Sequence, residues 1–166
     1  MQVPSESDVA GLLDRLVADA LPSGSGLEAW ASLLQAHATL MRRLETDLAQ
    51  ATGLALADFD VLAQLASAGG ELRMTDLAAR ALISRSGMTR RVARLVEEGL
   101  VRRANATTDA RGVVVALTDA GVARLTETAP VHLRGVSEQF VAQLDEQEIA
   151  ALKSALDKVV VDCTFG

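Results

Sequence analysis

The chain is 166 residues long, 49% apolar and 23% charged, with a formal charge of −6, which suits one domain or a small domain with an oligomerisation arm. Three Phe, one Trp and no Tyr leave a core of Leu, Val and Ala and favour helices. There is no membrane-length apolar run, secretory leader, disulfide pair (Cys163 is alone) or metal-ligand spacing of the two His, so a cytoplasmic protein without cofactor or metal is expected.

"SDVAGLLDRLVADAL" (7–21) reads as a short amphipathic helix that stops at the linker "PSGSG" (22–26). From Leu27 to Ala51 a longer stripe runs through Trp30, Leu33, Leu34, His37, Leu40, Met41, Leu44 and Leu48 and ends at "TG" (52–53). A helix over about 56–68 carries Phe59, Leu62 and Leu65 and stops at Gly69–Gly70. "RMTDLAARAL" follows, with Thr75 as the expected N-cap and Leu77, Ala78 and Leu82 as its buried side. A turn near "IS" (83–84) leads into a helix over 86–98, which Gly99 stops.

Beyond Gly99 the texture changes. "LVRRANA" and "GVVVALT" are β-branched runs about the polar loop "TTDAR", the pattern of a hairpin. Thr118 is a predicted N-cap, with Leu117 and Val122 as a hydrophobic staple. The helix it opens reaches about Pro130 and continues or kinks through 131–143. "LDEQEI" starts the last helix, with Asp145 as N-cap, Glu148 as its box partner and Leu144 with Ile149 as the staple. Three central helices followed by a hairpin form the winged helix-turn-helix plan. The fold class expected is therefore mainly α with a small β-hairpin wing, flanked by N- and C-terminal helices. Those terminal helices carry more apolar surface than one small domain covers, which predicts a homodimer.

Charge is segregated along this order. Residues 73–112 hold nine Arg and four acids, a net of +5, while the rest of the chain carries −11. A local site for a polyanion fits that distribution, with the acidic remainder repelling DNA elsewhere. On a helical wheel Met88, Val92, Leu95 and Val96 share an arc of about 100°, the predicted buried face. Ser86, Arg90, Ala93, Arg94 and Glu97 lie opposite, with Thr89 and Arg91 on the shoulders. The outward N-terminal half thus offers Arg85, Ser86, Thr89 and Arg90, with Arg94 one turn on. A helix fits the major groove, Arg matches guanine and phosphate, and a helix N-terminus favours phosphate. In the hairpin loop Asp109 precedes Arg111 by two residues. The pair suits an arginine held out for a narrow minor groove, and equally an ordinary turn with a surface ion pair.

"LRMTDLAARALISRSGMTRRVARLVEEGLVRR", "DARG" at 109–112 and "LTDAG" at 117–121 together resemble the DNA-binding core of the multiple-antibiotic-resistance regulator (MarR) family. By element order the resemblance spans about residues 27–160. It implies a homodimeric transcription factor, usually a repressor, on a pseudo-palindromic operator in double-stranded DNA. It assigns 1–26 to an extra N-terminal helix and linker, 27–53 and 119–166 to dimerisation, and 54–118 to the winged helix-turn-helix. Helix 86–98 takes the recognition position and Arg111 the minor-groove position. Ala55 stands where a Thr N-cap is common, and Ala106 where Pro is frequent in the wing.

The resemblance also implies release from DNA by a small aromatic or anionic effector. Asp60, among Phe59, Val61 and Leu62, and Arg91 match an Asp and an Arg of a urate-responsive subgroup that also has an extra N-terminal helix. That subgroup's Trp on the first helix is replaced by Ala20, and Trp30 lies on the next helix instead. Candidate effector contacts are therefore Trp30, His37, Asp60 and Arg91, although Asp60 and Arg91 also fit a structural ion pair or solvated flank, and His37 a packed histidine. Redox-sensing relatives resemble one another in a Cys near the start of the dimer arm; the lone Cys163 is elsewhere.

The alternative is a winged-helix protein-interaction module without DNA binding. Such a surface should expose apolar or aromatic anchors, which Arg90, Arg94 and Arg111 are not. No nucleophile–base spacing, phosphate-cradling Gly loop or metal cluster supports an enzyme.

Overall fold

The computed structural model describes residues 24–81, 83–105 and 112–164, with positions 11, 12, 15, 16 and 18. Outside the described residues lie Leu82, Ala20, most of the N-terminal helix and linker, and the wing tip with Ala106, Asp109 and Arg111. The side chain of Cys163 lies outside them as well. The chain divides into two compact units, 1–42 and 43–166.

The first unit is helical at its described positions and holds the first part of α1, Gly24–Thr52. The helix begins at Gly24 rather than Leu27, so residues 24–26 of the expected linker are helical. A first turn tolerates Gly and Ser because its N–H groups have no intrahelical acceptor to lose. Leu12, Leu16, Trp30, Leu33 and Leu34 are all exposed.

The second unit contains the rest of α1, then α2 (Leu56–Ser67), β1 (Glu71–Arg73), α3 (Met74–Arg80), α4 (Arg85–Glu97), β2 (Val101–Asn105), β3 (Val113–Leu117), α5 (Asp119–Gln139), a 3-10 turn (Val141–Gln143) and α6 (Glu146–Thr164). Its core runs from Leu44 and Leu48 on α1 through Val61, Leu62 and Leu65 on α2 to Leu77 on α3. Met88, Val92 and Leu95 on α4 and Val101 and Val115 of the sheet complete it.

The wing is a three-stranded antiparallel sheet in the order β1-β3-β2 rather than a lone hairpin. Leu72 pairs with Val115, and Arg103 pairs with the same residue from the other side. β1 was not foreseen: three residues are too few for a period-two signal, and only pairing with β3 defines them. It also corrects the cap of α3. The chain stays extended to Arg73, the N-cap residue, which makes no side-chain cap. Thr75 lies inside the helix and its Oγ1 donates to Asp76 at 3.3 Å.

Other boundaries follow local chemistry. Gly53, Gly69, Gly70 and Gly99 all have positive φ at element ends, where a side chain would be strained. The Thr118 hydroxyl accepts from Gly121 N at 3.0 Å, as expected of an N-cap, while Val122 of the expected staple is exposed. At α6 the capping box is complete: Asp145 Oδ1 accepts from Glu148 N at 2.8 Å, and Glu148 Oε2 accepts from Asp145 N at 2.9 Å. α5 passes through Pro130 without interruption, with Gly121, Thr128 and Gly135 buried along it. At Gly121 a Cβ would run into the Leu100 carbonyl oxygen, so only glycine allows that approach.

Ala55, the N-cap residue of α2, has no side-chain oxygen to cap the helix. Glu45 of α1 supplies the missing acceptor, taking the Leu56 N–H at 2.9 Å. A carboxylate there also faces the positive end of the helix. No described helix is long and apolar enough to cross a membrane.

Candidate nucleic-acid interface

α4 is set by its own sequence at both ends. Ser84 is the N-cap and its Oγ accepts from Gly87 N at 3.2 Å. Gly99, at φ 73°, ends the helix through a bond from its N–H to the Val96 carbonyl at 3.0 Å. Between these caps Met88, Val92 and Leu95 are fully buried. Val96, expected on the same arc, is 38% exposed. It sits at the edge of that arc in the last turn, where the helix leaves the core.

The opposite face is open. Arg85, Ser86, Thr89 and Arg90 are all exposed in the N-terminal half of the helix. Among the described residues, Arg85 and Arg90 make no ion pair. The Thr89 hydroxyl donates to Arg85 O at 2.9 Å, leaving its lone pairs outward. The surface therefore offers free guanidinium forks beside two short hydroxyls, which suits base edges and phosphate oxygens.

The next two arginines are held differently. Arg91 Nη1 donates to Asp58 Oδ1 at 2.6 Å, and Arg94 Nη2 donates to Asp58 Oδ2. Arg94 also stands 3.9 Å from Glu98. Asp58, on the first turn of α2, is only 4% exposed. Arg91 thus has an acidic partner on α2, as an ion-pair reading expects, but that partner is Asp58 and not Asp60. The signal was present: Asp58, Val61, Leu62 and Leu65 follow the i, i+3, i+4, i+7 rule of a buried stripe. A carboxylate on such a stripe requires a cationic partner. Asp60 lies off it.

From the sheet Arg103 reaches across to donate to Thr89 O at 3.0 Å, tying β2 to α4. Sequence reasoning gave Arg103 no role, because only the pairing of β2 with β3 aims it at α4. A cleft of about 390 Å³ opens beside this contact, lined in part by Arg73, Thr75, Thr89 and Arg103.

The candidate effector residues divide between the two units, Trp30 and His37 in the first and Asp60 and Arg91 in the second. Trp30 and His37 are both exposed on the first part of α1. Asp60 is half-buried on α2, where Phe59 meets His132 of α5 at a ring-centroid distance of 4.6 Å. Burial lowers the His132 pKa below its ordinary 6.5, and the charge of Asp60 pulls it back up. Its Nδ1 is buried without a hydrogen-bond partner among the described residues. Sequence reasoning passed over His132 because it is a half-buried residue in a helix whose stripe is interrupted by Pro130.

Known proteins share this arrangement. A family profile described as the MarR family matches residues 52–112. The structure is similar to that of AbsC, a MarR family transcriptional regulator from Streptomyces coelicolor, at 29% identity and a TM-score of 0.80 over 87% of this chain and 97% of that one. It is similar to Sco3205, a MarR family transcriptional regulator from the same organism in complex with DNA, at 32% identity and a TM-score of 0.77 over 83% and 87%. A variant of MarR from E. coli complexed with operator DNA aligns at 26% identity and a TM-score of 0.69 over 87% and 97%. No curated protein sequence matches the chain. Both the winged helix with its arginine-lined α4 and the 32% identity to Sco3205 over most of each chain lead to one conclusion: this protein belongs to the MarR family of DNA-binding transcriptional regulators.

Proposed function

We propose that the protein is a homodimeric repressor that acts in the cytoplasm on a pseudo-palindromic operator and is relieved by a small aromatic or anionic effector. The observation that carries the DNA contact is the outward half-face of α4, with Arg85, Ser86, Thr89 and Arg90 exposed over a fully buried Met88, Val92 and Leu95. A helix held this way enters the major groove with its N-terminal residues at the base edges. Arg111 at the wing tip, oriented by Asp109, takes the adjacent minor groove in this reading, although both lie outside the described residues.

Dimerisation is supported by the apolar side chains that the terminal helices leave open, Trp30 and Leu34 on α1 and Val159 and Val160 on α6. A second copy covers such faces by closed two-fold symmetry and sets two recognition helices about one DNA turn apart. For the effector, the half-buried His132, tilted against the buried Phe59 and within the field of Asp60, offers a polar ring edge, and Arg91, paired with Asp58, offers a cation.

The test is titration of the full chain against a duplex from its own upstream region at several salt concentrations. Binding whose logarithm falls with log salt by a slope of several is expected; absent or salt-insensitive binding to every upstream fragment would refute the proposal. Arg90→Ala should relax base preference at a cost of about 1–3 kcal/mol, and Arg111→Ala should weaken all sequences evenly. A thermal-shift screen of phenolic and small anionic compounds tests the effector arm.

A further inference from the structure

Asp58 belongs to α2, yet it contacts two of the four arginines of α4, which are Arg85, Arg90, Arg91 and Arg94. Each carboxylate oxygen takes a different guanidinium, Oδ1 that of Arg91 and Oδ2 that of Arg94. Arg91 and Arg94 are three residues apart, so they share one flank of the helix. Arg85 and Arg90, although Arg90 lines the same pocket as Arg91 and Arg94, stay out of ion pairs among the described residues. A carboxylate as buried as this one, 4% exposed, gives up such partners only at a large desolvation cost.

We propose that Asp58 is a positioning residue that withdraws Arg91 and Arg94 from DNA, so that the recognition helix reads its operator with Arg85 and Arg90. The inference rests on the DNA-binding reading above and divides the arginines of α4 into two classes. It also revises the expected role of Arg94, whose second neighbour is Glu98 at 3.9 Å. The gain is in discrimination. A free guanidinium on the flank would meet phosphates of any sequence and release counterions there, raising non-specific affinity without reading a base. Holding two of them against one buried carboxylate keeps that sequence-blind attraction low. The same contact fixes the register of α4 on α2, and with it the aim of Arg90.

The experiment compares the full chain and two variants on the upstream duplex and on a scrambled duplex of equal length, across salt. Asp58→Asn should steepen the slope on scrambled DNA by about one to two and narrow the preference for the upstream duplex about tenfold. Asp58→Glu, which keeps the charge, should return the slope to the wild-type value. A slope as steep as that of Asp58→Asn would show lost packing rather than lost charge and overturn the inference. An unchanged slope in a cooperatively unfolding Asp58→Asn protein overturns it too.

If Asp58→Asn does not fold, a second comparison decides. Arg94→Gln should lower the slope clearly less than Arg90→Gln, and an equal loss overturns the division. Failure of the wild type to bind either duplex removes the DNA reading itself. A wild type that binds but whose slope ignores Asp58 removes only the present inference.

Discussion

Between Leu54 and Ala116 the apolar side chains close on one another. Val61, Leu62, Leu65, Leu77, Met88, Val92, Leu95 and Val115 are wholly inaccessible. On the terminal helices the same residue types lie open, with Trp30 at 55% and Val160 at 64% exposure. Both regions have helical stripes of comparable quality in the sequence, so hydrophobic periodicity marks a face for burial without saying what buries it. In the winged helix the partner is another element of the same chain. On the terminal helices Leu44 and Leu48 join that core, while Trp30, Leu34 and Val159 stay exposed among the described residues, and a second copy is the occupant proposed here.

That contrast can be broken from either side. The largest expected effect is in the closed region: Leu95→Ala should cost about 2–5 kcal/mol, read as a lower urea midpoint, and a loss below about 1 kcal/mol would show that the core is less tightly closed than its burial implies. On the open side, Val159→Glu with Val160→Glu should leave the urea transition of the winged helix in place but halve the mass measured by light scattering. An unchanged mass would remove α6 from the dimer interface. The smallest effect is a pH dependence. Burial holds the folded-state pKa of His132 below its unfolded 6.5, so the unfolded chain binds the proton more readily. The contribution is therefore fully present above pH 6.5 and is lost as pH falls below it, toward the folded pKa. His132→Gln should flatten stability in that acid range; an equally steep decline would assign the pH response to other groups.

Much of the fold is legible because its signals are local. The buried arc of α4, the capping box of Asp145 and Glu148, the cap at Thr118 and the glycines that end α2 and α4 each depend on residues within one or two turns. β1 escaped for the opposite reason, since Glu71–Arg73 become a strand only by pairing with Val114–Ala116, more than forty positions away. The cap at Thr75 failed with it. Ala55 showed a missing cap, but the replacement, Glu45, comes from the preceding helix. Likewise the periodicity of α4 told which arginines face outward. It could not tell that Arg91 and Arg94 share one carboxylate, because that carboxylate lies more than thirty residues earlier.

An acidic chain thus carries nine arginines in forty residues for reasons that lie at two levels. Sequence alone determined the element types, the basic segment, the outward placement of Arg85, Ser86, Thr89 and Arg90, and the family resemblance. Those features follow from side-chain spacing along a rod of known pitch. Tertiary structure alone decided which charges are free and which are spent, because ion pairing depends on where the packing of α2 against α4 puts a buried carboxylate. It placed Asp58 under Arg91 and Arg94, and left Arg85 and Arg90 to the solvent.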